Sequence, residues 1–379
     1  MKYLSSISLR YGDPIEAGMC HRKLNEALNR LKEFVDLGKL PGFVILVVRK
    51  GIIVLHEAYG YASIIPERRP MRKDTIFDIA SMTKPIATAT AIMKLIERGE
   101  IYLRQRVQEI VPEFSGNKKE KVTIWHLLTH TSGLPAWRPL YKLKSREKIV
   151  RAICSMKLEY EPGSKIVYSC LGYIILGEIV ERITGKALNE YINEAVFKPL
   201  GMKDTMFNPP EDIKTRIAAT EYCKWRRRIL IGEVHDENAY AMGGVSGNAG
   251  LFSTAYDIAI FSQMMLNEGV YNERRILCPL TVKLMTKKHV ENHNEARGLG
   301  WLLNYGDAYN LCGDLMTTSA FGHTGFTGTS LWIDPVLDLI VILLTNAIHP
   351  SRDKRHVLKK IRPIIHNMIA SAIIDEVHD

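Results

Sequence analysis

Phe77–Thr90 reads FDIASMTKPIATAT and places a hydroxyl, two spacer residues and an amine where an apolar run turns helix-like. At a separation of three on a helix, Ser81 and Lys84 share a face and their side chains can touch. A serine attacks a carbonyl only when a neighbouring base takes its proton, and a lysine kept unprotonated by desolvation or adjacent positive charge is one such base. Taken alone, the same four residues also describe a capping serine followed by a solvated lysine. The rest of the chain decides between the two.

Working outward, Cys20–Asp36 carries Leu24, Ala27, Leu28, Leu31, Phe34 and Val35 at helical spacing, which predicts an amphipathic helix. GFVILVVRKGIIVLHEAYGYA, from Gly42, is β-rich and breaks at Arg49-Lys50-Gly51, a hairpin pattern. Helix-like segments fill the middle: the Ser81 element, IWHLLTH, IVRAICSM, LGYIILGEIVERITG and TAYDIAIFSQMMLNEG, the last capped by Ser253 or Thr254. Strands return in LGWLLNY and in TSLWIDPVLDLIVILLTNA, which turns at Asp334-Pro335, and a last helix is expected from about Arg355 to Ile374. Strands at both ends with helices between predict an α+β fold, an antiparallel sheet assembled from the two ends of the chain. The expected division is 13–75 with 285–379 as the sheet domain and 76–284 as a mainly helical region, with a cleft between them.

The 379 residues are 46% hydrophobic and 24% charged, a composition that buries a core. The net charge of +10 is scattered, and neither KWRRR near Lys224 nor RDKRHVLKK near Arg352 is interleaved with stacking aromatics, so no nucleic-acid partner is expected. No apolar run is long enough to span a bilayer and the N-terminus lacks an apolar signal region, so the expectation is a cytoplasmic protein without membrane attachment. Gln105, Gln108 and Gln263 are the only glutamines beside abundant Lys, Arg and Glu, which points to a heat-adapted source. The six cysteines form no CxxC pair, and free thiols are expected. His126 and His130 lie four apart but lack a third ligand or a glutamate base, so they read as capping or internally satisfied histidines, and no metal is expected. His56 in HEAYG lacks the second histidine of a zinc protease, and GGVSGNAG from Gly243 lacks the lysine of a phosphate loop and reads as a tight turn near the cleft.

Two more segments carry the functional reading. KIVYSCLGY places Tyr168 two residues before Cys170, just ahead of a helix, and FGHTGFTGTSLWID places His323, Thr324 and Gly325 at the entrance of a late strand. In order, Ser81-Met82-Thr83-Lys84, Tyr168-Ser169-Cys170 and His323-Thr324-Gly325 resemble the S-x-x-K, Y-x-N and K-T-G or H-x-G elements of the penicillin-recognising serine hydrolases. Within that family the likeness is to the group holding class C β-lactamases, D-amino-acid peptidases and related carboxylesterases. It runs from about Asp13 to Asn346 and includes LLTHTSGLP and YEPGSKIVYS.

The resemblance implies a β-lactamase/transpeptidase-like fold and an acyl-enzyme formed on Ser81. Lys84 and Tyr168 would share the base role, with the ammonium favouring phenolate character. The amides of Ser81 and Phe326 would form the oxyanion hole. Cys170, His323, Thr324 and Gly325 would line the substrate site, His323 replacing the family's lysine and bonding the tyrosine or a substrate carboxylate. Cys170 stands where the family has asparagine, and by its own chemistry it reads as a buried apolar filler. A thiol is a weak donor and acceptor beside an amide, so the expected substrates shift from β-lactams to small esters, amides or short peptides. The expected activity is a carboxylesterase or D-amino-acid peptidase without cofactor. The alternatives are a penicillin-binding carboxypeptidase or β-lactamase, and a non-catalytic scaffold with the same fold.

Overall fold

The computed structural model describes residues 8–305 and 311–376; the first seven residues, part of the N-terminal stretch read above, lie outside it. Its centre is a sheet in the order Arg10–Tyr11, Ile52–Ser63, Gly42–Arg49, Leu339–Thr345, Ser330–Asp334, Phe321–Thr324, Leu302–Leu303, Ala296–Arg297, Val290–Glu291. Every pairing along this path is antiparallel except the first, where Arg10 lies beside Ile52 in parallel. The join between the two ends of the chain is Gly42–Arg49 on Leu339–Thr345, with Val47 opposite Val341. The two ends therefore do build one sheet, in the β-lactamase/transpeptidase arrangement.

Both strands at this join are apolar at nearly every position because both faces of the sheet are covered. Alternation sorts their side chains. Phe43, Ile45 and Val47, with Leu339, Val341 and Leu343, face the terminal helices His21–Asp36 and Leu358–Ala370. Val44, Leu46 and Val48, with Ile340, Ile342 and Leu344, face the helical part of the chain, including Ala255–Leu266 and Cys170–Thr184. Each such side chain removed from water contributes roughly 1.5–3 kcal/mol.

The hairpin at Asp334 is closed by its own carboxylate, which accepts from the amides of Val336 and Leu337 at 3.1 Å. Thr254 caps the Ala255–Leu266 helix by accepting from the Asp257 amide, and Ser253 belongs to the preceding strand. The strand expected across LGWLLNY is only Leu302–Leu303. The backbone turns at Gly300 (φ +85°), and residues 298–301 become the loop of a short hairpin that pairs Arg297 with Leu302. The last helix begins later than expected, a 3₁₀ segment Arg352–Val357 preceding Leu358–Ala370. Among the described residues no helix is long and apolar enough to cross a membrane, and the cysteines form no disulfide.

Candidate active site

Ser81 and Lys84 do not sit on a continuous α-helix. Phe77–Asp78 pairs with Leu251–Ser253, and the chain then enters a 3₁₀ turn, Ala80–Met82, through an Ala80 with φ +47°. Lys84 opens a π-helical stretch, Lys84–Ala89, before regular helix resumes at Thr90. Such wide turns occur mostly at functional sites. Pro85 follows at a position where its missing N–H leaves no helical bond unmade. The turn still brings the amine to the hydroxyl: Lys84 Nζ is 3.1 Å from Ser81 Oγ, and Lys84 is fully buried. The same ammonium donates to the Asn248 carbonyl at 2.9 Å.

That carbonyl comes from the glycine-rich loop that resembled a phosphate cradle. The loop lies against the Ser81 element because Thr88 donates to the Gly247 carbonyl (2.7 Å) and the Leu251 amide donates to Thr83 Oγ1 (3.1 Å). A Cβ at Gly247 would overlap the Tyr173 carbonyl oxygen, so only glycine lets the loop pack this closely. Its function is to anchor the lysine.

Tyr168 precedes the helix Cys170–Thr184, as expected, and its ring lies 4.9 Å from Lys84 Nζ. Its hydroxyl is buried and near enough to Lys84 to strengthen the lysine's hold on its proton. The ring is packed between His130 (4.5 Å between centroids) and His323 (5.9 Å), with the Arg297 guanidinium 5.2 Å from its centre. Burial, and then Arg297 and Lys84, push both histidines well below their ordinary protonation range, so both are neutral.

The tautomers follow from the partners. His130 Nδ1 accepts from the Ser169 amide at 3.0 Å, which leaves its proton on Nε2. His323 Nδ1–H donates to the Thr324 carbonyl at 2.8 Å, leaving Nε2 as a buried lone pair without a partner among the described residues. That corrects one expectation: a neutral acceptor nitrogen can take a proton from an O–H or N–H but cannot hold a carboxylate. The position of His323-Thr324-Gly325 is corrected too. His323 and Thr324 end the strand Phe321–Thr324, and Gly325 turns toward Ile79, whose carbonyl would overlap a side chain there.

Burial alone would strip the proton from Lys84, but Cys170 and Tyr168 beside it, with Asp236 further off, outweigh that, and the net shift is upward. That shift favours the ammonium form of Lys84. Cys170 is likewise no mere filler. Its sulfur is 3.6 Å from Lys84 Nζ and lines the cleft, although burial pushes its thiol up and keeps it protonated. His126 is held by Thr123, whose amide donates to its Nδ1 at 3.1 Å.

These groups line a cleft of about 500 Å³ with Ser81, Tyr168, Cys170, His323, Thr324 and Phe326 on its walls. The Phe326 amide finds no acceptor among the described residues. Its carbonyl accepts from Arg355 Nε at 3.0 Å, and its ring lies between the stacked His235 imidazole (5.2 Å, 17°) and the Arg355 guanidinium (4.0 Å).

Three contributors were missed from sequence. Arg297, itself paired with Glu295, brings a buried cation to the cleft. Asp236 brings a carboxylate. Asp78, inside the stretch first quoted, accepts from the amides of Ala80 and His235. Among the described residues no group of three His, Cys, Asp or Glu side chains is placed to bind a metal ion.

The sheet, and Ser81 on its cleft backed by the buried Lys84, define a serine hydrolase of β-lactamase-like fold. Comparison with known proteins makes this specific: the Beta-lactamase family model matches residues 29–363, and the chain belongs to that family. A protein of Salmonella agona bearing the name "Putative D-alanyl-D-alanine carboxypeptidase" is 35% identical, over 91% of this chain and 89% of its own length. Among solved structures, EstCE1, a hydrolase with promiscuous acyltransferase activity, is 25% identical with a TM-score of 0.74, over 91% of this chain and 99% of its own. A family VIII carboxylesterase, 24% identical over 92% of this chain and 99% of its own, shares the fold with a TM-score of 0.71.

Proposed function

We propose that the chain hydrolyses small esters and D-amino-acid amides or short peptides through an acyl-enzyme on Ser81. Ser81 Oγ attacks the carbonyl carbon while the phenolate form of Tyr168, favoured by the Lys84 ammonium beside it, takes the serine proton and becomes a neutral phenol. The tetrahedral oxyanion forms against the amides of Ser81 and Phe326. The proton then passes to the departing alcohol or amine, and water, activated by the same pair, releases the acyl group. The sheet domain (13–75, 285–379) and the helical region (76–284) close on the substrate from two sides.

The observation that carries this reading is the buried Lys84 Nζ, 3.1 Å from Ser81 Oγ and fixed from behind by the Asn248 carbonyl. A solvated lysine after a capping serine would have neither contact, and a non-catalytic scaffold has no use for a charge held at that depth. A second reading, a carboxypeptidase cutting peptides before a terminal D-residue, is favoured by the name of the Salmonella relative and by the Arg297 guanidinium at the cleft, a partner for a terminal carboxylate.

A fluorophosphonate and a fluorescent penicillin, each followed by mass spectrometry on the parent and on Ser81→Ala, test both readings. A Ser81 adduct from the phosphonate alone supports the esterase or amidase. An adduct from penicillin as well supports the carboxypeptidase. If neither reagent labels Ser81, acyl chemistry at this site is lost and the scaffold stands.

A further inference from the structure

We propose that Asp78 is the positioning residue of the oxyanion hole: a single residue that, through its carboxyl and its main-chain carbonyl, ties together the separate chain segments from which the hole is built. The proposal rests on the assignment of the hole to the amides of Ser81 and Phe326.

Asp78 is 2% exposed. One carboxylate oxygen accepts from the Ala80 amide at 2.8 Å and the other from the His235 amide at 2.6 Å. Its main-chain carbonyl accepts from Thr327 Oγ1 at 2.7 Å. Ala80 immediately precedes Ser81 and Thr327 immediately follows Phe326. Both amides of the hole are therefore one residue away from an atom fixed to Asp78. Thr329 Oγ1 adds a longer bond, 3.3 Å, to the carbonyl of Ile79.

The backbone explains why an acceptor is needed there. Ala80 holds φ +47°, a conformation that an alanine leaves unless something holds it. The bond from its own amide to the Asp78 carboxyl does so; burial raises that carboxyl, and the His235 and Ala80 amides it accepts from work against the rise. No lysine or arginine is paired with Asp78 among the described residues, so the carboxylate is engaged by the two amides. An apolar side chain would fill the same space without the desolvation cost, but it would leave both amides unmet.

The third tie reaches Phe326 from its other side. The His235 amide is held by Asp78, and the His235 imidazole stacks on the Phe326 ring at 5.2 Å. The Phe326 peptide is thus fixed through Thr327 and through its ring, and Arg355 holds its carbonyl at 3.0 Å. An oxyanion hole works by donors that need no rearrangement when charge develops, which is the property these ties confer.

The test uses the full-length chain and compares Thr327→Val, Thr327→Ser, Asp78→Asn and Asp78→Ala. Hydrolysis of p-nitrophenyl acetate gives kcat and KM, and an alkyl trifluoromethyl ketone, whose hemiketal oxygen occupies the hole, gives Ki. Thermal melting gives stability separately. Losing one oxyanion donor typically costs about 10²–10³ in kcat. Loosening one is therefore expected to lower kcat on the order of tenfold in Thr327→Val, with KM within about twofold and Ki weakened by the same factor as kcat. Thr327→Ser restores the hydroxyl and is expected to return kcat to within about threefold of the parent. Both Asp78 variants are expected to lose more than Thr327→Val.

The idea is overturned if kcat falls without a matching rise in Ki, if the serine variant is no better than the valine, or if the variants lose only melting temperature. Should the Asp78 variants fail to fold, the Thr327 pair still decides. Failure of the acyl-enzyme reading on which the hole depends is a separate result: Ser81→Ala would then hydrolyse the ester at the parental rate.

Discussion

Lys84 Nζ lies 3.1 Å from Ser81 Oγ and 2.9 Å from the carbonyl oxygen of Asn248, so the amine is fixed between the nucleophile and a loop 164 residues further along the chain. Replacing Lys84 with alanine removes the cation that supports the proton transfer and leaves that carbonyl without its donor. A positioned acid–base group contributes about 10²–10⁴ in rate, and a buried acceptor left unpaired costs about 1–3 kcal/mol. The expected variant is folded, melts earlier and has lost ester hydrolysis by at least a hundredfold. Circular dichroism with steady-state kinetics checks this; parental turnover in a folded Lys84→Ala would remove the lysine from the mechanism.

Tyr168 separates catalysis from stability more sharply. Its hydroxyl is buried and has no partner among the described residues other than the neighbouring Lys84, so Tyr168→Phe disturbs little else of the resting enzyme. Removing an unsatisfied buried polar group is neutral or mildly stabilising. The variant is expected to melt at or slightly above the parental temperature while kcat falls roughly 10²–10⁴-fold. If kcat instead stays within a few-fold, Lys84 itself takes the serine proton.

How much of this was legible beforehand depended on the range of the interaction. The strands Gly42–Arg49 and Leu339–Thr345 are read from their own residues, because sheet burial on two faces writes an unbroken apolar run. The order of the three motifs brought Ser81, Lys84, Tyr168 and His323 together on paper, and the fold places Ser81, Tyr168 and His323 on one cleft with Lys84 buried against Ser81. Asp78 sat in the opening stretch and still went unnoticed, because its partners His235 and Thr327 are 157 and 249 residues away. Arg297 lies on a two-residue strand, too short to write any period. The protonation of Lys84 and the tautomer of His323 were hidden for the same reason: each is set by neighbours that only the fold assembles.

Cys170 is where selectivity against β-lactams can be tested directly. Its sulfur, 3.6 Å from Lys84 Nζ, occupies the place where the family resemblance expects an amide. Cys170→Asn supplies both an acceptor for the ammonium and a donor toward the substrate. Acylation by a fluorescent penicillin is expected to rise at least tenfold, on the order of one good hydrogen bond, with p-nitrophenyl acetate hydrolysis changed by less than threefold. An unchanged labelling rate would place the selectivity elsewhere on the cleft wall.

The wall behind Phe326 predicts an acid-sensitive element. Glu221 accepts from Arg352 Nε at 2.7 Å and pairs with His235 at 2.9 Å, and His235 in turn stacks on Phe326. Burial alone would raise the Glu221 carboxyl, but Arg352 and His235 outweigh it and bring it down from 4.5 to about 2. A carboxylate with a depressed folded value stabilises the fold above its unfolded value and loses that contribution as pH falls through the folded one. The window is therefore pH 4.5 down to about 2. Asp257 shifts the other way, raised to about 6 by burial, so the raw melting curve mixes opposite slopes. Comparison with Glu221→Gln cancels that background. The parent is expected to melt higher than the variant at pH 6, with the difference shrinking steadily below pH 4.5 and nearly gone at pH 2. A difference that stays constant across this range would show that Glu221 contributes through packing, and that the ion pairs behind the oxyanion hole carry no pH-dependent stability.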